Sequence, residues 1–130
     1  MRRVLAATLL AATIAFAAGD ARAHARLVAA SPRADGHLAA APATVDLWFD
    51  EVLDDGFHEV TVLPADRPAS TERNRAGAAS IDPDDRTHLV APLDRLPTGA
   101  WAVQWRVLSR DGHPARGRYE FRVVRERGAW

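Results

Sequence analysis

From Ala25 onward apolar and polar residues alternate with a period of two, the pattern of strands that turn one face to a core and the other to water. Val45, Leu47 and Phe49 alternate with Asp46, Trp48 and Asp50, and Val60 and Val62 flank Thr61. The strongest pair comes late. Trp101, Val103, Trp105 and Val107 alternate with Ala102, Gln104 and Arg106, and Tyr119, Phe121 and Val123 alternate with Glu120 and Arg122. The stretch between them, residues 110–115, predicts a hairpin connection. Turn-forming groups at Ser31-Pro32, Asp35-Gly36, Ala41-Pro42, Asp54-Asp55-Gly56, Pro64, Asp82-Pro83-Asp84-Asp85 and Leu96-Pro97-Thr98-Gly99 separate the other runs. The polar, alanine-rich stretch 65–86 predicts one short strand near 78–81, and residues 87–91 predict another. Roughly six to eight short antiparallel strands are what a single all-β domain, an immunoglobulin-like Greek-key β-sandwich, requires.

The first 23 residues break this pattern. Arg2 and Arg3 precede an apolar run over residues 4–18 that ends in Ala21-Arg22-Ala23, the form of a secretory signal peptide with its cleavage site. The run is shorter than the roughly 20 residues a membrane-spanning helix needs. Two segments follow from this: a signal peptide over 1–23 and one domain over 24–130. The expected destination is outside the cytoplasm, secreted or periplasmic. Of 17 basic residues, all arginine, and 17 acidic residues, the signal segment takes Arg2, Arg3, Arg22 and Asp20, so the remainder is slightly acidic. That balance carries no electrostatic footprint for nucleic acid. Cysteine is absent and the single methionine is Met1, so the exported chain has no sulfur. Thiolate chemistry is excluded, and so are the soft ligands that favour Cu(I).

Cleavage after Ala23 makes His24 the first residue, which changes its chemistry. An unblocked histidine offers its α-amino nitrogen and its imidazole Nδ1 together, closing a six-membered chelate ring on a metal. Nitrogen donors in such a bite suit Cu(II), which stands at the top of the divalent affinity series and prefers a tetragonal plane of N and O ligands. Asp111-Gly112-His113-Pro114, in the predicted hairpin loop, can supply a carboxylate oxygen and an imidazole nitrogen two residues apart, and i and i+2 point the same way in extended chain. Pro114 biases His113 toward extended angles while Gly112 lets the backbone bend. An Asp-Gly pair in a hairpin is also ordinary turn chemistry, and it is the terminal His24 that turns the loop into a metal-site candidate. His37, His58 and His88 have no paired ligand motif and are expected to be solvent-facing or hydrogen-bonded.

The stretches His24-Ala25-Arg26-Leu27, Ser31-Pro32, Pro42, Phe49-Asp50-Glu51 and Trp105-Arg106-Val107-Leu108-Ser109-Arg110-Asp111-Gly112-His113-Pro114 together resemble the copper-resistance CopC family. Gly117-Arg118-Tyr119-Glu120-Phe121-Arg122-Val123 is similar to that family's last strand. The resemblance implies a cupredoxin-like Greek-key barrel or sandwich and one periplasmic Cu(II) ion per chain, held by His24, Asp111 and His113. It adds Glu51 as a carboxylate near the copper. It also implies a monomer that sequesters or delivers copper, with a CopD-type inner-membrane protein as partner. The methionine-rich Cu(I) site of some members has no counterpart in residues 65–86, which places the chain with the Cu(II)-only type. Two rivals stand beside this reading. A histidine-brace copper monooxygenase or oxidase shares the terminal histidine, but Asp111 fills a position that an oxygen-activating metal keeps open. A metal-free immunoglobulin-like interaction module calls for an exposed apolar patch, to which Trp48 and Trp130 could contribute.

Overall fold

The computed structural model describes residues 25–125, and in it the period-two runs become eight strands in two four-stranded sheets. The strands are β1 (Leu27–Ser31), β2 (His37–Leu38), β3 (Thr44–Phe49), β4 (Leu53–Pro64), β5 (Ser80–Asp82), β6 (Asp85–Pro92), β7 (Gly99–Ser109) and β8 (Pro114–Val123). One sheet has the order β1-β3-β6-β5 and the other β2-β8-β7-β4. The inner faces of the two sheets enclose one core, and Val45, Leu47, Val62, Leu89, Val103 and Phe121 are each 1% exposed or less. These are the positions at which the alternation put apolar residues, so the single-domain β-sandwich follows from the sequence pattern directly. Trp130 lies outside the described residues.

The hairpin expected around residues 110–115 is present and longer than the pattern indicated. β7 and β8 pair antiparallel from Gly99↔Val123 to Leu108↔Pro114, leaving a tight turn over residues 110–113. The indole of Trp105 crosses β8 at Gly117 and packs edge-on against Phe49 with centroids 6.4 Å apart. A Cβ at Gly117 would sit 2.1 Å from the indole Cζ2, so only glycine permits this approach.

The sequence pattern anticipated antiparallel pairing throughout, and β2 departs from it. This two-residue strand runs parallel to β8 through His37↔Arg122 and Leu38↔Val123. Backbone bonds from Arg122 N to Gly36 O (2.8 Å) and from Val124 N to Leu38 O (2.7 Å) satisfy the edge of β8. The opposite edge, β4, is covered by the polar stretch that held little strand signal. Asn74 accepts from Val62 N (2.8 Å) and donates to Val60 O (3.1 Å), which fastens that segment to the sheet. Within the stretch lies a single 3-10 turn, Ala69–Thr71.

Candidate metal centre

Three pieces of chain meet at one end of the sandwich: the start of the described chain, the β3–β4 turn and the β7–β8 turn. Ala25 is buried in the core. Its neighbour Arg26 is clamped at two points, donating N–H to the Asp50 carboxylate (2.7 Å) and offering its carbonyl to Asp50 N–H (2.9 Å). Two residues beyond Asp50, the Val52 carbonyl accepts from Arg110 N–H at 3.0 Å. The β3–β4 turn thus holds the incoming chain with one end and the β7–β8 turn with the other. Glu51 lies between these two anchors and is half-buried.

The β7–β8 turn is closed by its own backbone. Gly112 N–H donates to Ser109 O at 2.8 Å, and Ser109 N–H to His113 O at 3.0 Å. Gly112 takes a φ of +84°, a conformation that side chains disfavour, which explains glycine between the two candidate ligands. Asp111 and His113 then project from one side of the turn with Asp111 Oδ2 and His113 Nδ1 3.0 Å apart. Their side chains are 46% and 52% exposed, so an ion from solvent can reach them.

Asp111 is held in place from beneath. Ser109, fully buried, donates its hydroxyl to Asp111 Oδ1, and His113 N–H reaches the same oxygen at 3.3 Å. The Ser109 hydroxyl holds the Asp111 carboxyl below its ordinary value of 3.8 against the opposing effect of burial, and the contacts with His113 add to the lowering. The carboxylate therefore stays anionic, as a metal ligand must. A carboxylate oxygen and an imidazole nitrogen thus lie within reach of one another at a solvent-facing turn, a donor pair of the type that suits a divalent metal ion.

Of the sequence-derived donors, Asp111 and His113 are brought together. Glu51 is on the neighbouring turn, and among the described residues no three His, Asp or Glu side chains form a ready metal group. His24 lies outside the described residues. Sequence reasoning passed over Ser109, although a signal existed: it occupies the inward position that follows Trp105 and Val107 in the alternation, where an apolar residue is expected. It also passed over Asp50, whose contacts with Arg26 fix the entering chain. His88 is hydrogen-bonded as expected, with Nε2 2.7 Å from Asp46 Oδ1 and Nδ1 3.2 Å from Asp82 Oδ2. Trp48 stacks on its ring at 4.4 Å, which withdraws Trp48 from any apolar patch.

The family model for the CopC domain matches residues 27–124, nearly the whole described chain. The chain belongs to the CopC family. Copper resistance protein C of Xanthomonas campestris pv. juglandis is 32% identical over 123 residues, covering 93% of this chain and 96% of the relative. Copper resistance protein C of Pseudomonas syringae pv. tomato is 34% identical over 115 residues, covering 83% of this chain and 90% of the relative. Among solved structures, the crystal structure of CopC from Methylosinus trichosporium OB3b superposes with a TM-score of 0.71 at 32% identity, covering 82% of this chain and all of that one. In this CopC domain the turn bearing Asp111 and His113 therefore stands on a scaffold shared with the family.

Proposed function

We propose that this CopC protein holds one Cu(II) ion per chain through the α-amino nitrogen and imidazole of His24, the carboxylate of Asp111 and the imidazole of His113. Copper is its cargo and copper resistance its process, as membership of the family and the names of its relatives give. The observation that carries the ligand assignment is the 3.0 Å separation of Asp111 Oδ2 and His113 Nδ1 on a turn already shaped by Gly112. The clamp on Arg26 and the bond from Arg110 to Val52 support His24 as the third contributor, since both run to the same β3–β4 turn. Glu51, on that turn, is the further carboxylate available to the ion.

The oxidation state follows from donor chemistry. Imidazole, amine and carboxylate suit Cu(II), and the chain contains no cysteine and no methionine besides Met1. The role is binding, sequestration or delivery rather than catalysis, because His24, Asp111 and His113 between them fill the equatorial plane. Residues 1–23 act as the export signal, and the protein works in the periplasm as a monomer. A CopD-type membrane protein is the expected recipient.

Mass spectrometry of the exported protein, followed by Cu(II) titration under electron paramagnetic resonance, tests this reading. The expected result is a chain starting at His24 that takes up one equivalent of copper with a nitrogen-rich tetragonal spectrum. A different first residue, or no stoichiometric uptake, refutes it.

A further inference from the structure

Arginine is spread unevenly over the surface. On the outer face of the β4–β7–β8 sheet the register brings Glu59, Arg106 and Arg116 into one row and Thr61, Gln104 and Arg118 into the next. Arg122 continues the series on β8, beyond Glu120. Four arginines thus share this face with two glutamates, although the chain beyond residue 23 is acidic as a whole. The two rows line a depression of about 410 Å³ whose floor includes Trp105 and Gly117.

Nothing in the fold calls for this arrangement. Arg106 and Arg116 are directly opposite across the ladder, a like-charge placement that costs stability in a sheet. Arg118 pairs with Glu120 at 3.3 Å and Arg106 lies over the Phe57 ring at 5.3 Å, while Arg116 makes no ion pair with any described residue. All four arginines are exposed. Arg116 is three residues from His113 along an extended strand, about 10 Å at the usual rise. A partner seated here is beside the metal turn.

We infer that this face docks an acidic segment of a partner protein, with carboxylates meeting Arg106, Arg116 and Arg118. Docking itself does not depend on the copper assignment; only its use in handing over metal rests on that reading. Charge complementarity selects the occupant. A segment with spaced carboxylates can enter the depression and leave Glu59 and Glu120 facing gaps, whereas a flat anionic bilayer would meet both glutamates and could not follow the concave surface. The summed positive field would also steer an acidic partner toward the turn.

The test uses the exported chain and a fluorescently labelled peptide of alternating glutamate and threonine, read by anisotropy. Binding is expected at low ionic strength and should weaken as salt rises. Arg106→Ala combined with Arg116→Ala should weaken it by about tenfold, as the loss of two exposed charge contacts allows. The pair Arg73→Ala and Arg95→Ala removes equal charge elsewhere and should leave it nearly unchanged. If the double alanine variant does not fold, Arg116→Glu alone replaces it with the same expectation. Absence of binding, equal loss in both double variants, or binding to phosphatidylglycerol vesicles without binding to the peptide overturns the inference. Copper spectra of each variant are recorded in parallel. A failed copper site with intact peptide binding counts against the ligand assignment alone, and the reverse against the docking face alone.

Discussion

Ser109→Ala deletes one oxygen from a position with no solvent exposure and leaves both proposed loop ligands in place. The hydroxyl donates to Asp111 Oδ1 and is the largest contributor to the lowered carboxyl pKa, so its loss lets that pKa rise toward 3.8 and frees the carboxylate to turn toward water. Two contacts survive: His113 N–H to Oδ1 at 3.3 Å and His113 Nδ1 to Oδ2 at 3.0 Å. Removing a group that orients a metal ligand costs roughly 10- to 100-fold in affinity, and the surviving contacts put this case near the lower end, about tenfold. Competition titration of Cu(II) against a chelator at neutral pH measures it. Ser109→Thr, which keeps the hydroxyl, is expected to restore most of the affinity, and thermal melts of the metal-free variants separate a site effect from a loss of fold. An alanine variant with wild-type affinity and an unchanged electron paramagnetic resonance spectrum would show that Asp111 needs no support from below, and the positioning argument would fall.

Apparent affinity for Cu(II) is expected to fall as pH drops from about 8 to 5, because protons compete with the ion for the α-amino and imidazole nitrogens. Competition titrations against a chelator that give the same affinity at about pH 8 and at about pH 5 would contradict this. One additional residue ahead of His24 in an otherwise identical protein should abolish the amine–imidazole chelate and change the copper spectrum. Gly117→Ala places a methyl 2.1 Å from the Trp105 ring and should cost about 1–3 kcal/mol in urea denaturation, with a shift in tryptophan fluorescence as the indole moves. Asp82, whose carboxyl is lowered first by the Asp84 backbone and then by His88, has a folded value below its unfolded 3.8. Its contribution is therefore complete above that value and lost as pH falls through the lower one. Asp82→Asn should accordingly flatten the loss of stability below about pH 4, measured as the urea midpoint across an acid series.

Much of the fold was legible because a half-buried strand writes its two faces into alternate positions. Val45, Leu47 and Phe49 on β3, and Tyr119, Phe121 and Val123 on β8, were assigned inward by that rule and are buried. β2 was not legible, since two residues carry no period, and its parallel pairing with β8 is decided by backbone bonds at Gly36 and Leu38 rather than by side chains. The segment over residues 65–86 was half legible: its short strand formed at Ser80–Asp82, but the Asn74 fastening depends on the unpaired edge of β4, which no local pattern reveals.

The candidate site divides along the same line. Asp111 and His113 were readable because their chemistry and spacing are local to one turn. What makes them more than a turn is contributed from a distance in sequence: Val52 holds Arg110, and Asp50 holds Arg26 from 24 positions away. Ser109 belongs to both classes, being local in sequence yet effective only because the sandwich buries it. A polar residue that breaks the inward alternation two positions before a candidate ligand is therefore itself a candidate part of the site. Burial removes water from competition for its hydroxyl, which reaches both the Asp111 carboxylate and the His113 carbonyl (3.2 Å), so protein contacts alone orient that carboxylate.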